Sequence, residues 1–127
     1  MTENEITGQV VDAAYKIHTK LGPGLFETVY ETLLAYELEK RGLRIKRQQA
    51  VPLVYETIHF ARGFRVDLLV EDKVIIEVKS VETLHPVFRK QLLTYLRLAD
   101  KRVGLLINFG AMLIKEGIFR VVNNLNQ

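Results

Sequence analysis

Along the opening stretch of the chain, Ile6, Val10, Ala13, Ala14, Ile17 and Leu21 recur at helical spacing, with polar residues between them. Thr2 stands three residues ahead of Glu5, a pairing in which each side chain can satisfy the other's backbone N–H, so a helix is predicted to start there. Gly22-Pro23-Gly24 ends it. A second helix is predicted over about 26–41, stopping at Gly42, a residue that accepts the left-handed conformation after a last helical turn. The period then changes to two. Strands are predicted over about 43–55, 58–70 and 74–81, with Pro52 marking an edge or an irregular stretch. Pro86 suits the first turn of a third helix whose buried stripe is Val87, Phe88, Leu92, Leu93, Leu96 and Ala99. A strand over 103–109 follows, and 118–122 can add a short edge strand. Helix, helix, three strands, helix, strand is the order of an α/β fold with a mixed sheet.

Val66, Leu68, Val70 and then Val74, Ile76, Val78 alternate with other residues, so one face of a hairpin made by the second and third strands is expected in the core. If Glu71-Asp72-Lys73 form a three-residue loop, antiparallel pairing sets Val70 opposite Val74 and Asp67 opposite Glu77. Lys79 lies two positions further on, so two carboxylates and an ammonium are expected on the face away from the apolar set. Adjacent carboxylates raise each other's pKa unless a cation sits between them. Hard oxygen ligands suit Mg²⁺, with Mn²⁺ as the alternative. Lys79 beside such an ion could position or deprotonate an attacking water, or neutralise charge on a phosphate. The same three residues could instead form cross-strand ion pairs on a solvated face, and their spacing does not separate the two readings.

Glu27 falls in the first turn of the second helix, in line with Leu34 and Leu38, and is expected to point along a face that becomes core. A metal cluster would receive it there; an exposed acid favoured by the helix dipole is the alternative. Tyr30 is expected to be a core aromatic with its hydroxyl at the site rim. Glu31, one turn on from Glu27, is either a supporting group or a surface residue. Gln91 lies off the apolar stripe of the third helix, where its amide could meet a phosphate or a metal-bound water, or simply face solvent. His18, His59 and His85 lie on separate elements without the spacing of a helical metal pair.

Several of these segments together resemble the PD-(D/E)XK nuclease superfamily, and within it the proteins named for the pattern GxxExxY. The pattern stands here as Gly24-Leu25-Phe26-Glu27-Thr28-Val29-Tyr30. Phe64-Arg65-Val66-Asp67-Leu68-Leu69-Val70 is similar to the family's acidic strand, and Ile76-Glu77-Val78-Lys79-Ser80-Val81 to its ExK strand. Gln91-Leu92-Leu93-Thr94-Tyr95-Leu96 resembles the helical glutamine motif, and Gly104-Leu105-Leu106-Ile107-Asn108-Phe109 the closing strand. The resemblance implies a restriction-endonuclease-like αβββαβ core, a mixed sheet flanked by helices, with an extra N-terminal helix.

Composition bounds the remaining choices. A chain of 127 residues with 48% hydrophobic content can bury a core without disulfides, and one domain over 1–127 is expected. The lack of cysteine removes thiolate zinc sites and cysteine nucleophiles, and fits a cytoplasmic location. The acidic start is unlike a signal peptide, and no apolar run approaches membrane-spanning length. A net charge of +3 says little alone, but Arg44, Lys46 and Arg47, and then Arg89, Lys90, Arg97, Lys101 and Arg102, form clusters that could meet phosphates. No phosphate-cradling glycine loop or serine elbow occurs.

The expected activity is metal-dependent hydrolysis of phosphodiester bonds in nucleic acid, DNA ahead of RNA. Asp67, Glu77 and the backbone carbonyl of Val78 would hold one or two Mg²⁺ ions, with Glu27 completing the cluster. Lys79 would position the water, Gln91 would support it, and a homodimer could cut both strands of a duplex. The rival readings are a catalytically silent nuclease-fold module that binds nucleic acid, and an oligomeric protein-interaction domain.

Overall fold

The computed structural model describes residues 1–125; Asn126 and Gln127, the last two positions of the expected domain, lie outside them. Thr2 opens α1 (Glu3–Leu21): its hydroxyl accepts the Glu5 N–H at 3.1 Å, and the Glu5 carboxylate accepts the Thr2 N–H at 3.0 Å. Gly22, at φ +70°, turns the chain out of the helix. The second helix, α2 (Glu27–Lys40), ends just before Gly42, whose φ of +83° is costly for any residue with a Cβ. A long antiparallel hairpin follows, β1 (Ile45–Tyr55) with β2 (Ile58–Val70), and then β3 (Val74–Lys79). Next come α3 (Val87–Ala99), β4 (Val103–Asn108), a 3₁₀ turn at Ile114–Glu116 and β5 (Ile118–Val122).

The five strands lie in chain order across one sheet, and only β3 and β4 are parallel neighbours, joined through α3. Each face of the sheet has its own core. On one side Ile6, Val10 and Ile17 of α1 and Leu34 and Leu38 of α2 pack with Leu68, Val70, Ile76, Val78, Leu105 and Ile107. On the other, Leu92 and Leu96 of α3 pack with Val66, Leu69, Ile75 and Leu106. Full burial of such a side chain contributes about 1.5–3 kcal/mol, so the two-helix face carries the larger share and the second face depends on α3 alone.

The three-residue loop forms as expected, with Val70 opposite Val74 and Glu71 and Asp72 both left-handed. Pro52 lies on the edge strand, where the pairing of β1 with β2 shifts between Val51 and Leu53. Gly63 is required there, since a Cβ would come within 2.3 Å of Leu53 Cβ.

Two expectations are corrected. The third strand stops at Lys79, not at Val81, because the Asn108 side chain takes over the Val81 backbone: Oδ1 accepts its N–H at 3.0 Å and Nδ2 donates to its carbonyl at 2.9 Å. Val66 does not share a face with Leu68 and Val70 but packs under α3. The alternation slips at Asp67, which neither neighbouring strand pairs, and beside it Gln48 of β1 has a φ of +48°.

Candidate metal centre

Beyond Leu68 and Ile76 the β2–β3 ladder stops, and two acidic side chains bridge the seam. The Asp67 N–H donates to Glu77 Oε2 at 3.1 Å, and the Val78 N–H donates to Asp67 Oδ2 at 2.8 Å. Each carboxylate thus replaces a carbonyl that regular pairing would have supplied. The structure brings Asp67 and Glu77 together, yet they do not stand on one open face. Glu77 follows Ile75 on the α3 side and is only 8% exposed, whereas half-buried Asp67 also lines a cavity beside α2. Burial, and after it the charge of Asp67, pushes the Glu77 carboxyl up to about 9, so at neutral pH it keeps its proton.

Lys79 extends from the same strand toward α3, its ammonium 4.2 Å from the centre of the Phe88 ring. Phe88, Gln91 and Tyr95 follow one another at helical spacings of three and four, so exposed Gln91 lies between two residues that face the seam. The Tyr95 phenol is held above its usual range by burial and then by the charges of Glu77 and Asp67. Val78, whose N–H is taken by Asp67, is itself buried.

On the α2 side the expectation for Glu27 is corrected, and of the two readings left open for Glu31 the buried, supporting one holds. Glu27 is exposed rather than core-facing, although it lines the 460 Å³ cavity that also receives Asp67. Glu31 is 6% exposed, and its Oε2 accepts from Arg47 at 3.0 and 3.3 Å while Oε1 accepts from the Gln48 amide. The same amide nitrogen donates to Asp67 Oδ1 at 3.2 Å. Glu31 precedes buried Leu34, Ala35 and Leu38 by three, four and seven positions, but Glu27 lies on the same line, so that stripe does not tell which of the two turns inward. Gln48, Arg65 and Tyr95 had no comparable signal.

Glu27 and Thr28 also border a second cavity of 690 Å³, which reaches Phe26, Ser80 and Glu82. Its loop is pinned from two sides. Tyr30, fully buried and stacked on Phe109 at 4.5 Å, donates its hydroxyl to the Gly22 carbonyl at 2.5 Å and accepts the Leu25 N–H at 3.2 Å. The Ser80 hydroxyl donates to the Leu25 carbonyl at 2.6 Å. The histidines stay apart: His18 bonds the Ala111 carbonyl, His85 accepts the Val87 N–H at the start of α3, and His59 is exposed on β2.

Among the described residues no three His, Asp or Glu side chains are grouped to hold a metal ion. The chemistry of Asp67 and Glu77 nonetheless fits a hard divalent cation: both donors are carboxylates, and a nearby positive charge would let Glu77 ionise. Much of the basic clusters is already neutralised, Arg44 by Glu71, Arg47 by Glu31 and Lys101 by Asp72.

The five-stranded mixed sheet, the helices on both faces and the leading α1 define an α/β protein of the restriction-endonuclease-like class. A family model described as the PD-(D/E)XK nuclease superfamily matches residues 4–121, and the chain belongs to that superfamily. Its nucleases generally use divalent metals. No curated protein and no solved structure matches the chain. Among the described residues, no helix is long and apolar enough to cross a membrane.

Proposed function

We propose that this chain is a single nuclease-like domain of the GxxExxY kind that hydrolyses phosphodiester bonds in nucleic acid, DNA ahead of RNA. One observation carries the reading: Asp67 and Glu77 meet in the β2–β3 seam, with Lys79 two residues along β3. Asp67, Glu77 and the Val78 carbonyl would hold one or two Mg²⁺ ions, or Mn²⁺ in their place, with Glu27 joining from the cavity side. When bound, the ion supplies Lewis-acid polarisation of a phosphoryl group and compensates its charge.

The chain's own residues do the rest. Each carboxylate keeps lone pairs beyond the backbone N–H that it accepts, so ligand capacity remains. Lys79, resting on Phe88, presents its cation to the phosphate or the attacking water. Gln91 offers an amide from the neighbouring turn of α3. Arg65 lines the Asp67 cavity and adds positive charge for a phosphate backbone. Cutting both strands of a duplex calls for two copies or a fused partner, so a homodimer is part of the reading.

Binding without cleavage is the second reading, favoured by the way Asp67 and Glu77 already satisfy each other's strands. Incubation of single- and double-stranded DNA and RNA with Mg²⁺ tests both. Wild type should cleave, and Lys79→Ala and Asp67→Ala should each lose about 100-fold or more. Binding without cleavage by wild type would favour the silent module, and equal cleavage by all three proteins would sink the assignment.

A further inference from the structure

Gln48 sits within β1, yet its φ of +48° is a left-handed conformation that L side chains rarely adopt inside a strand. It is not a turn residue. Arg47 pairs with Leu68 and Gln49 with Val66, so the register continues unshifted on both sides. The kink carries its amide nitrogen to two acceptors, Glu31 Oε1 and Asp67 Oδ1. Glu31 is a fixed anchor, because it is buried on α2 and its other oxygen is ion-paired with Arg47. Asp67 is held at its other oxygen by the Val78 N–H. A primary amide suits this place: its two N–H donors can serve two carboxylates at once without changing the local charge.

We infer that Gln48 is a positioning residue of the site: the left-handed kink in β1 delivers an amide that ties Asp67 to Glu31 and so holds Asp67 in the seam where it meets Glu77. The inference rests on Asp67 being a carboxylate of the proposed site. Local strain of this kind persists where surrounding contacts require it, and here the requirement is that one amide reach both α2 and β2.

Two substitutions separate the backbone from the side chain. Glycine and asparagine both accept this φ, but glycine has no amide and asparagine is one methylene too short. The Val78 amide reports on Asp67 because it donates to Asp67 Oδ2; the Glu5 amide, bonded to Thr2, serves as the control. Both Gln48→Gly and Gln48→Asn should stay folded, since relief of the left-handed strain offsets part of the lost hydrogen bonding, and their amide hydrogen exchange is measured without divalent cation. Val78 should exchange about tenfold faster in both, with Glu5 unchanged. Calorimetric titration with Mn²⁺ should show affinity reduced by about tenfold in both variants. Unaltered Val78 exchange in both variants, whatever their melting temperature, would mean that Gln48 merely shapes the strand, and would overturn the inference. So would wild-type Mn²⁺ affinity in both variants. If wild type itself fails to bind Mn²⁺, the metal reading of the site fails, while Val78 exchange still decides the role of Gln48.

Discussion

The Lys79 ammonium lies 4.2 Å from the centre of the Phe88 ring, so the first turn of α3 supplies the surface on which the cation of β3 rests. A cation over an aromatic face gains about 0.5–2 kcal/mol, depending on how far it is desolvated. Phe88→Leu keeps an apolar side chain but removes that face. If Lys79 acts on the phosphate, kcat/KM for nucleic acid should fall by roughly 2- to 30-fold, the equivalent of that energy. Phe88→Tyr should restore it. Full activity in Phe88→Leu would show that the contact does not position Lys79.

Glu77 gives a pH dependence of definite sign. Its carboxyl titrates at about 9 in the folded chain, through burial first and the Asp67 charge second, against 4.5 without these influences. Between those values the folded state keeps a proton that the unfolded state has released. The stability contributed by this group is therefore complete below the lower value and lost as pH rises through the higher one, with a slope of at most about 1.4 kcal/mol per pH unit. Thermal melts without divalent cation should show a declining midpoint from about pH 5 to about pH 9. Glu77→Gln should flatten most of that decline. A wild-type profile no steeper than the variant's would count against the buried neutral acid.

Tyr30→Phe preserves the stack on Phe109 but removes the hydroxyl that joins Gly22 to Leu25. Leaving such groups without a partner costs about 1–3 kcal/mol. Urea unfolding should register that loss, and the Leu25 amide should exchange faster than in wild type. The loop leads into Glu27, so any cleavage that depends on Glu27 should weaken with it.

Asn108 is 4% exposed and holds three backbone groups: the Val81 N–H, the Val81 carbonyl and the Gly110 N–H. Asn108→Ala should lower stability by about 3 kcal/mol or more, measured by chemical denaturation, since a cavity and several unsatisfied groups arise together. Asn108→Asp keeps acceptors for the two N–H groups but sets an oxygen against the Val81 carbonyl. It should fall between wild type and Asn108→Ala, and a more stable alanine variant would contradict the hydrogen-bond assignment.

The features that the chain made legible are those whose causes are local. Thr2 and Glu5 cap the same helix end, Gly42 follows the last turn of α2, Pro86 precedes α3, and Glu71-Asp72-Lys73 is just long enough to set Val70 against Val74. Meeting carboxylates at 67 and 77 follow from that loop length. The face reversal at Val66 does not follow from it, because period-two alternation assumes an unbroken ladder, and here side chains have taken the ladder's place at Asp67.

Periodicity and capping chemistry, acting between near neighbours, determined the order of helices and strands, the β2–β3 loop and the acidic pair that it aligns. Only the tertiary structure decided that Glu31 turns inward while Glu27 stays exposed, that Lys79 leans on Phe88, and that Gln48 reaches both Glu31 and Asp67. The physical reason is distance along the chain: Gln48 is 17 residues from Glu31 and 19 from Asp67. Hydrogen bonds of that span, and the burial that makes them matter, exist only after helices have covered both faces of the sheet.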